Sequence, residues 1–137
     1  GLGGVREAGS FVTDADAPML TRADVEFYAG VRHAGGVVPV PDATFAPLSD
    51  GDFTGLPPTL CIAAECDPLA DDAAAYAGRV TAVGGRAAGV VERGLVHGYL
   101  RARATVPRAR ASFSRITAAI AAMAAGTWDP ATEEDGR

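Results

Sequence analysis

The sequence predicts an α/β fold in which parallel strands are joined by a crossover helix, and three observations carry that expectation. Residues 59 to 64 form a short apolar run, the pattern of a strand buried on both faces of a parallel sheet. From 69 to 83, Leu69, Ala73, Tyr76, Ala77, Val80 and Val83 recur at spacings of three and four, one face of an amphipathic helix that Gly84-Gly85 closes. Residues 86 to 91 then read as a second strand, weakened by Gly89 and ending in Val90-Val91. Strand, helix and strand in that order make a right-handed crossover. Both strands then point the same way and end on one rim.

The other elements follow in chain order. Gly1 to Gly9 is glycine-rich and reads as a loop or frayed end, and Gly9 to Ala17 as a loop. Thr21 opens a helix with a capping box to Asp24, and Leu20 can staple against Val25. Ala23, Phe27, Val31 and Ala34 are its expected buried face, and Gly35 its end. Val37 to Pro58 holds five of the nine prolines and has the composition of an extended connection. Tyr99 to Thr105 carries Arg101 and Arg103 and has no pattern that assigns it. Pro107 opens a last helix in which Ala109, Phe113, Ile116, Ile120 and Met123 form the packing face, with Arg108, Arg110 and Arg115 on a solvated one. Gly126 stops that helix, and residues 126–137 read as an acidic flexible tail.

Two polar residues fall on the common rim, where open α/β sheets place their sites. Asp67 stands just past the first strand, and His97 six residues past the second, in a loop flanked by Gly94 and Gly98. A histidine used as a general base needs its second nitrogen held by an acceptor that fixes the tautomer and stabilises the imidazolium, and a carboxylate on a neighbouring strand end does that. Other readings stand beside this one. Asp67 before Pro68 also suits a helix N-cap with proline at the first helical position, and a lone His97 in a glycine-rich loop also suits a surface or packing histidine.

The stretch Leu56-Pro57-Pro58-Thr59-Leu60-Cys61-Ile62-Ala63-Ala64-Glu65-Cys66-Asp67-Pro68-Leu69-Ala70-Asp71-Asp72, then Tyr76-Ala77, then Gly94-Leu95-Val96-His97-Gly98-Tyr99, resembles the C-terminal half of the hormone-sensitive-lipase-like α/β-hydrolases, which are esterases and lipases. The resemblance runs from about position 8 to about 124. It implies the C-terminal part of an α/β-hydrolase fold over residues 1–125, with a sheet that this chain does not complete. It implies a Ser-His-Asp mechanism in which Asp67, of the D-P-L motif, is the acid and His97, of the H-G-Y motif, the base. Short to medium acyl esters would be the substrates, without a cofactor. Asp71 would either support the rim or interact with the helix dipole.

The nucleophile elbow, G-x-S-x-G, does not occur in the sequence. Ser49, in Pro47-Leu48-Ser49-Asp50-Gly51, comes nearest and reads as a loop serine; His33-Ala34-Gly35-Gly36 mimics an oxyanion motif but reads as a helix end. The expected object is therefore half of a hydrolase, carrying acid and base, whose nucleophile lies elsewhere. Two further expectations stay open: a non-catalytic half-domain that pairs its exposed sheet edge with a copy of itself or with a missing N-terminal half, and an unrelated small α/β binding domain.

Composition narrows the partners. A net charge of −5 argues against nucleic acid, which needs a basic surface. Cys61 and Cys66 share one strand and lie too far apart to bridge, so reduced thiols and a cytoplasmic location are expected. Two histidines 64 positions apart give no metal-ligand spacing, and the longest apolar run, Ala118 to Ala125, is too short to span a membrane.

Overall fold

The computed structural model describes residues 1–33 and 42–136. In chain order these hold a short helix α1 (Ser10–Thr13), α2 (Arg22–Arg32), β1 (Thr59–Cys66), α3 (Asp71–Ala82), β2 (Ala87–Val96) and α4 (Pro107–Ala124). Single 3-10 turns lie at Pro47–Ser49, Tyr99–Ala102 and Pro130–Thr132. β1 and β2 pair in parallel as a two-stranded sheet among the described residues, with α3 as the crossover. No helix among them is long and apolar enough to cross a membrane.

The two faces of the sheet are covered by different helices. Cys61 and Ala63 of β1 meet Ala70 and Ala73 at the start of α3, while Leu60 and Ile62 share a small apolar cavity with Ile116, Ala119, Ile120 and Met123 of α4. Gly89, which weakened β2 as a strand, is there because α3 lies against it. A Cβ at 89 would sit 3.0 Å from the Ala74 Cα and 3.1 Å from the Ala73 carbonyl oxygen. Only Ala63 and Ala64 of β1 are fully buried, so the strand is less enclosed than its apolar run suggests.

β2 is longer than expected, running to Val96. The sequence pattern was broken by an irregularity in pairing: Ala64 faces Glu92 and Cys66 faces Val96, so Glu65 alone stands opposite Arg93, Gly94 and Leu95. Gly94 takes φ +66 in this bulge. Glu65 Oε2 accepts the Gly94 N–H at 2.7 Å and Oε1 accepts Arg93 Nη1 at 3.0 Å. Those two contacts, the backbone bond first, hold the Glu65 carboxyl below its ordinary value of 4.5.

Three expected surfaces differ. The capping box of α2 is formed, with Thr21 accepting from Asp24 N–H and Asp24 from Thr21 N–H, yet α2 buries no residue, and Phe27 and Val31 are exposed. Beyond its cap, the helix touches the described chain through Arg32 and its C-cap His33, both of which meet the Phe45 ring. It ends at Arg32 with His33 as C-cap, and Ala34, Gly35 and Gly36 lie outside the described residues. On α4 the buried residues are Ala109, Ser112 and Ala119, whereas Phe113 and Ile120 are exposed. Ser112 displaced the apolar count because its hydroxyl is satisfied at 2.7 Å by Tyr99 Oη, and Arg115 is no free cation, since it pairs with the buried Glu92.

Residues 127–136, expected to be a flexible tail, lie against β2. Trp128 is buried and donates its indole N–H to Glu133 Oε1 at 2.7 Å. Gly136 N–H donates to the Val91 carbonyl at 2.8 Å, and Asp135 Oδ1 accepts the Val91 N–H at 2.8 Å. An open strand edge offers unpaired N–H and C=O groups, and the acidic segment satisfies them.

Two outcomes follow from these contacts. Gly89→Val forces a side chain into the α3 backbone and is expected to cost about 1–3 kcal/mol in urea unfolding. Glu65 has a depressed carboxyl in the fold, so its contribution is complete above pH 4.5 and is lost as pH falls through the lower folded value. Amide exchange at Gly94 should therefore lose protection in acid ahead of Val90, and Glu65→Gln should remove that pH dependence.

Candidate active site

The site begins with the turn that follows β1. Asp67 is buried at 6% exposure, and its two carboxylate oxygens do different work. Oδ1 accepts the Leu69 N–H at 2.9 Å, and the Asp67 carbonyl accepts the Ala70 N–H at 3.0 Å, which closes a tight turn around Pro68. Oδ2 meets His97 Nδ1 at 2.7 Å. The N-cap of α3 is Ala70, with no side-chain cap, and the helix starts at Asp71. Asp67 is therefore not the helix N-cap, nor is Pro68 the first helical residue, because the turn intervenes. The carboxylate still serves the backbone there, leaving one oxygen for the histidine.

His97 directly follows the last residue of β2, where the sequence pattern had placed it six residues out. The strand pair Cys66–Val96 explains the meeting: Asp67 and His97 are the next residue on each strand. Gly98, at φ +71, then turns the chain into the 3-10 helix of Tyr99–Ala102. With a carboxylate as its acceptor, Nδ1 carries the hydrogen, and Nε2 is left with its lone pair. The side chain is 42% exposed, and it borders two cavities. One, of about 420 Å³, is lined by Leu2, Ile62, Ala64, Leu69, Asp67 and Tyr99 among others. The second, of about 530 Å³, runs between the N-terminal loop and α2, past Leu20, Tyr28 and Phe45.

Neighbouring residues brace this corner. Asp71 Oδ2 accepts the Ser10 N–H at 2.8 Å, while Ser10 Oγ accepts the Asp71 N–H and donates to the Pro68 carbonyl, both at 3.1 Å. Asp71 thus ties α1 to the turn bearing Asp67 while lying in the first turn of α3. Asp72, not singled out in the sequence, is 6% exposed, lines the 420 Å³ cavity and accepts the Leu2 N–H at 2.5 Å. The adjacent acids at 71 and 72 were the available signal. Tyr99, whose hydroxyl is pushed up mainly by burial, struts the loop after His97 against Ser112 of α4.

The remaining candidates lie apart from this pair. Ser49 closes the Pro47–Ser49 turn with its hydroxyl on the Ala46 carbonyl at 2.7 Å and is exposed. His33 packs against Phe45, ring centres 4.6 Å apart. Cys61 and Cys66 are both free thiols, and burial pushes the Cys61 thiol up. Among the described residues, no three His, Cys, Asp or Glu side chains gather as a metal site.

Comparison with known proteins matches residues 5–101 to the family described as the alpha/beta hydrolase fold. The chain is 36% identical over 115 residues to the carboxylesterase NlhH of Mycobacterium tuberculosis, covering 81% of this chain and 35% of that protein. It superposes on an esterase of Pyrobaculum calidifontis with TM-score 0.71 and 30% identity, over 82% of this chain and 37% of that one. It superposes on EstE1, a thermostable carboxylesterase from a metagenomic library, with TM-score 0.69 and 29% identity, over 85% and 40%. The chain thus spans about a third of the length of the curated relatives it matches. With the D-P-L and H-G-Y residues joined across two parallel strand ends and the family model covering most of its length, the chain belongs to the α/β-hydrolase fold family, in its hormone-sensitive-lipase-like branch.

Proposed function

We propose that this chain supplies the acid and the base of a carboxylic ester hydrolase. The observation that carries the reading is the 2.7 Å contact between His97 Nδ1 and the buried Asp67 Oδ2. Asp67 holds the ring in the tautomer with a free Nε2 lone pair. A serine hydroxyl gives its proton to His97 Nε2 as its oxygen attacks the ester carbonyl. His97 returns the proton to the departing alkoxide, leaving an acyl-serine. Water then attacks that acyl group, with His97 taking the water proton and passing it to the serine as the acid leaves. The sequence contains no G-x-S-x-G elbow, so the serine in this scheme lies outside these 137 residues. The apolar lining of the 420 Å³ cavity by Leu2, Ile62 and Leu69 suits the acyl or alcohol part of a short to medium ester. No cofactor enters the scheme. A cytoplasmic location belongs to the same proposal, supported by two unpaired thiols.

A second reading concerns what covers the rest of the sheet. The outer edge of β1 is unpaired among the described residues, and beside it lie Leu60, Ile62 and the 60%-exposed Ile120. A further stretch of hydrolase polypeptide, or a second copy of this chain, would pair there.

Asp67→Asn is expected to remove the single Nδ1–H tautomer of His97, read from its ring nitrogen NMR signals; an unchanged tautomer would sink the acid–base pair. Fluorophosphonate treatment followed by intact mass measurement should leave the chain unmodified, and an adduct on Ser49 would refute an external nucleophile. Sedimentation should show dilution-dependent association, whereas a monomer at every concentration would remove the self-pairing reading.

A further inference from the structure

We infer that Glu65 is a positioning residue for His97, its carboxylate holding the β2 bulge in the register that sets the imidazole beside Asp67. The inference rests on the reading of Asp67 and His97 as an acid–base pair and adds the residue that keeps them adjacent. Between the pairs Ala64–Glu92 and Cys66–Val96, β1 advances through Glu65 alone while β2 advances through Arg93, Gly94 and Leu95. Regular pairing through this point would place Leu95 next to Asp67, an apolar side chain with no hydrogen to offer the carboxylate. The two extra residues bring His97 there instead. They also preserve the alternation of faces, because an even number was inserted.

A bulge of this size leaves backbone groups outside the strand ladder, and two side chains and the backbone at Gly136 take them up. Glu65 Oε2 accepts the Gly94 N–H at 2.7 Å, Arg108 Nη1 donates to the Arg93 carbonyl at 3.0 Å, and the Arg93 N–H donates to the Gly136 carbonyl at 3.2 Å. Gly94 is required by φ +66; a Cβ there would also displace the Arg108 guanidinium, one nitrogen of which lies 2.7 Å from that position. Leu95 is buried and anchors the far side. Of these contacts, only that of Glu65 comes from the strand that carries Asp67. It therefore couples the two strand ends directly, three residues before His97 on β2 and two before Asp67 on β1. The ion pair with Arg93 is solvent-exposed and contributes little to that coupling.

Ring nitrogen NMR of His97 across pH, in the 137-residue chain, tests this. Glu65→Ala is expected to mix the neutral tautomers of His97, because Nδ1 no longer stays on Asp67. Glu65→Gln keeps an oxygen for the Gly94 N–H without the charge and should retain the single tautomer. Glu65→Asp keeps the charge, falls short of Gly94 and should behave like the alanine variant, which gives a reading if the latter does not fold. In an Asp67→Asn background, Glu65→Ala should change nothing further. A single wild-type tautomer of His97 in both Glu65→Ala and Glu65→Asp would overturn the inference. So would equal mixing in the glutamine and alanine variants, or a further change in the Asp67→Asn background, since either would mean charge acting through space. If Asp67→Asn itself has no effect, it is the acid–base pair that fails; if only the Glu65 variants have none, the pair stands and Glu65 does not position it.

Discussion

Strand register is the constraint on which this structure depends. In a parallel pair, side chains at matched positions stand on the same face a few ångströms apart, so the residue beside Asp67 is chosen by pairing and not by reach. The bulge opposite Glu65 moves that choice from Leu95 to His97. A hydrogen bond of 2.7 Å between a buried carboxylate and an imidazole follows from two backbones already in place. Little side-chain freedom remains to be lost in making it, which is how a rigid sheet end orders polar groups better than a long loop would.

Around that register, polar pairs with at least one buried member act as ties between elements. Ser10 and Asp71 exchange hydrogen bonds and fix α1 to the start of α3. Asp72 anchors the N-terminal loop through the Leu2 N–H, and Tyr99 meets Ser112 between the loop after His97 and α4. The buried Glu92 and the exposed Arg115 join β2 to α4, and Glu92 Oε1 has no partner. Breaking such ties leaves a buried donor or acceptor unpaired, so each fixes geometry more firmly than its net stabilisation suggests. The N-terminal loop bordering the 420 Å³ cavity is thereby tied to the start of α3, and the loop after His97 to α4.

The two edges of the sheet are treated differently. The acidic segment near Asp135 and Gly136 closes the β2 edge with backbone and carboxylate contacts. The β1 edge and the exposed apolar residues of α2 and α4 have no such cover among the described residues. The chain spans about a third of the length of its curated relatives.

How much could be read in the sequence depended on whether a feature was local. The apolar run of β1, the three-and-four spacing of α3, the capping box at Thr21 and the D-P-L and H-G-Y residues were all legible there, because periodicity, capping and short motifs are set by near neighbours. The buried stripe of α4 was not, since Ser112 faces inward only because Tyr99 reaches it. Nor was the exposure of Phe27, as helical spacing marks a face without saying whether anything meets it. The segment 127–136 read as a flexible tail because its partner is an edge formed elsewhere in the chain. Likewise Asp67 and His97 were both visible in the sequence, and their adjacency was not. The sequence by itself determined which acid and which base lie near the rim; tertiary structure decided that they touch, because the bulge that aligns them arises from pairing between residues some 30 positions apart.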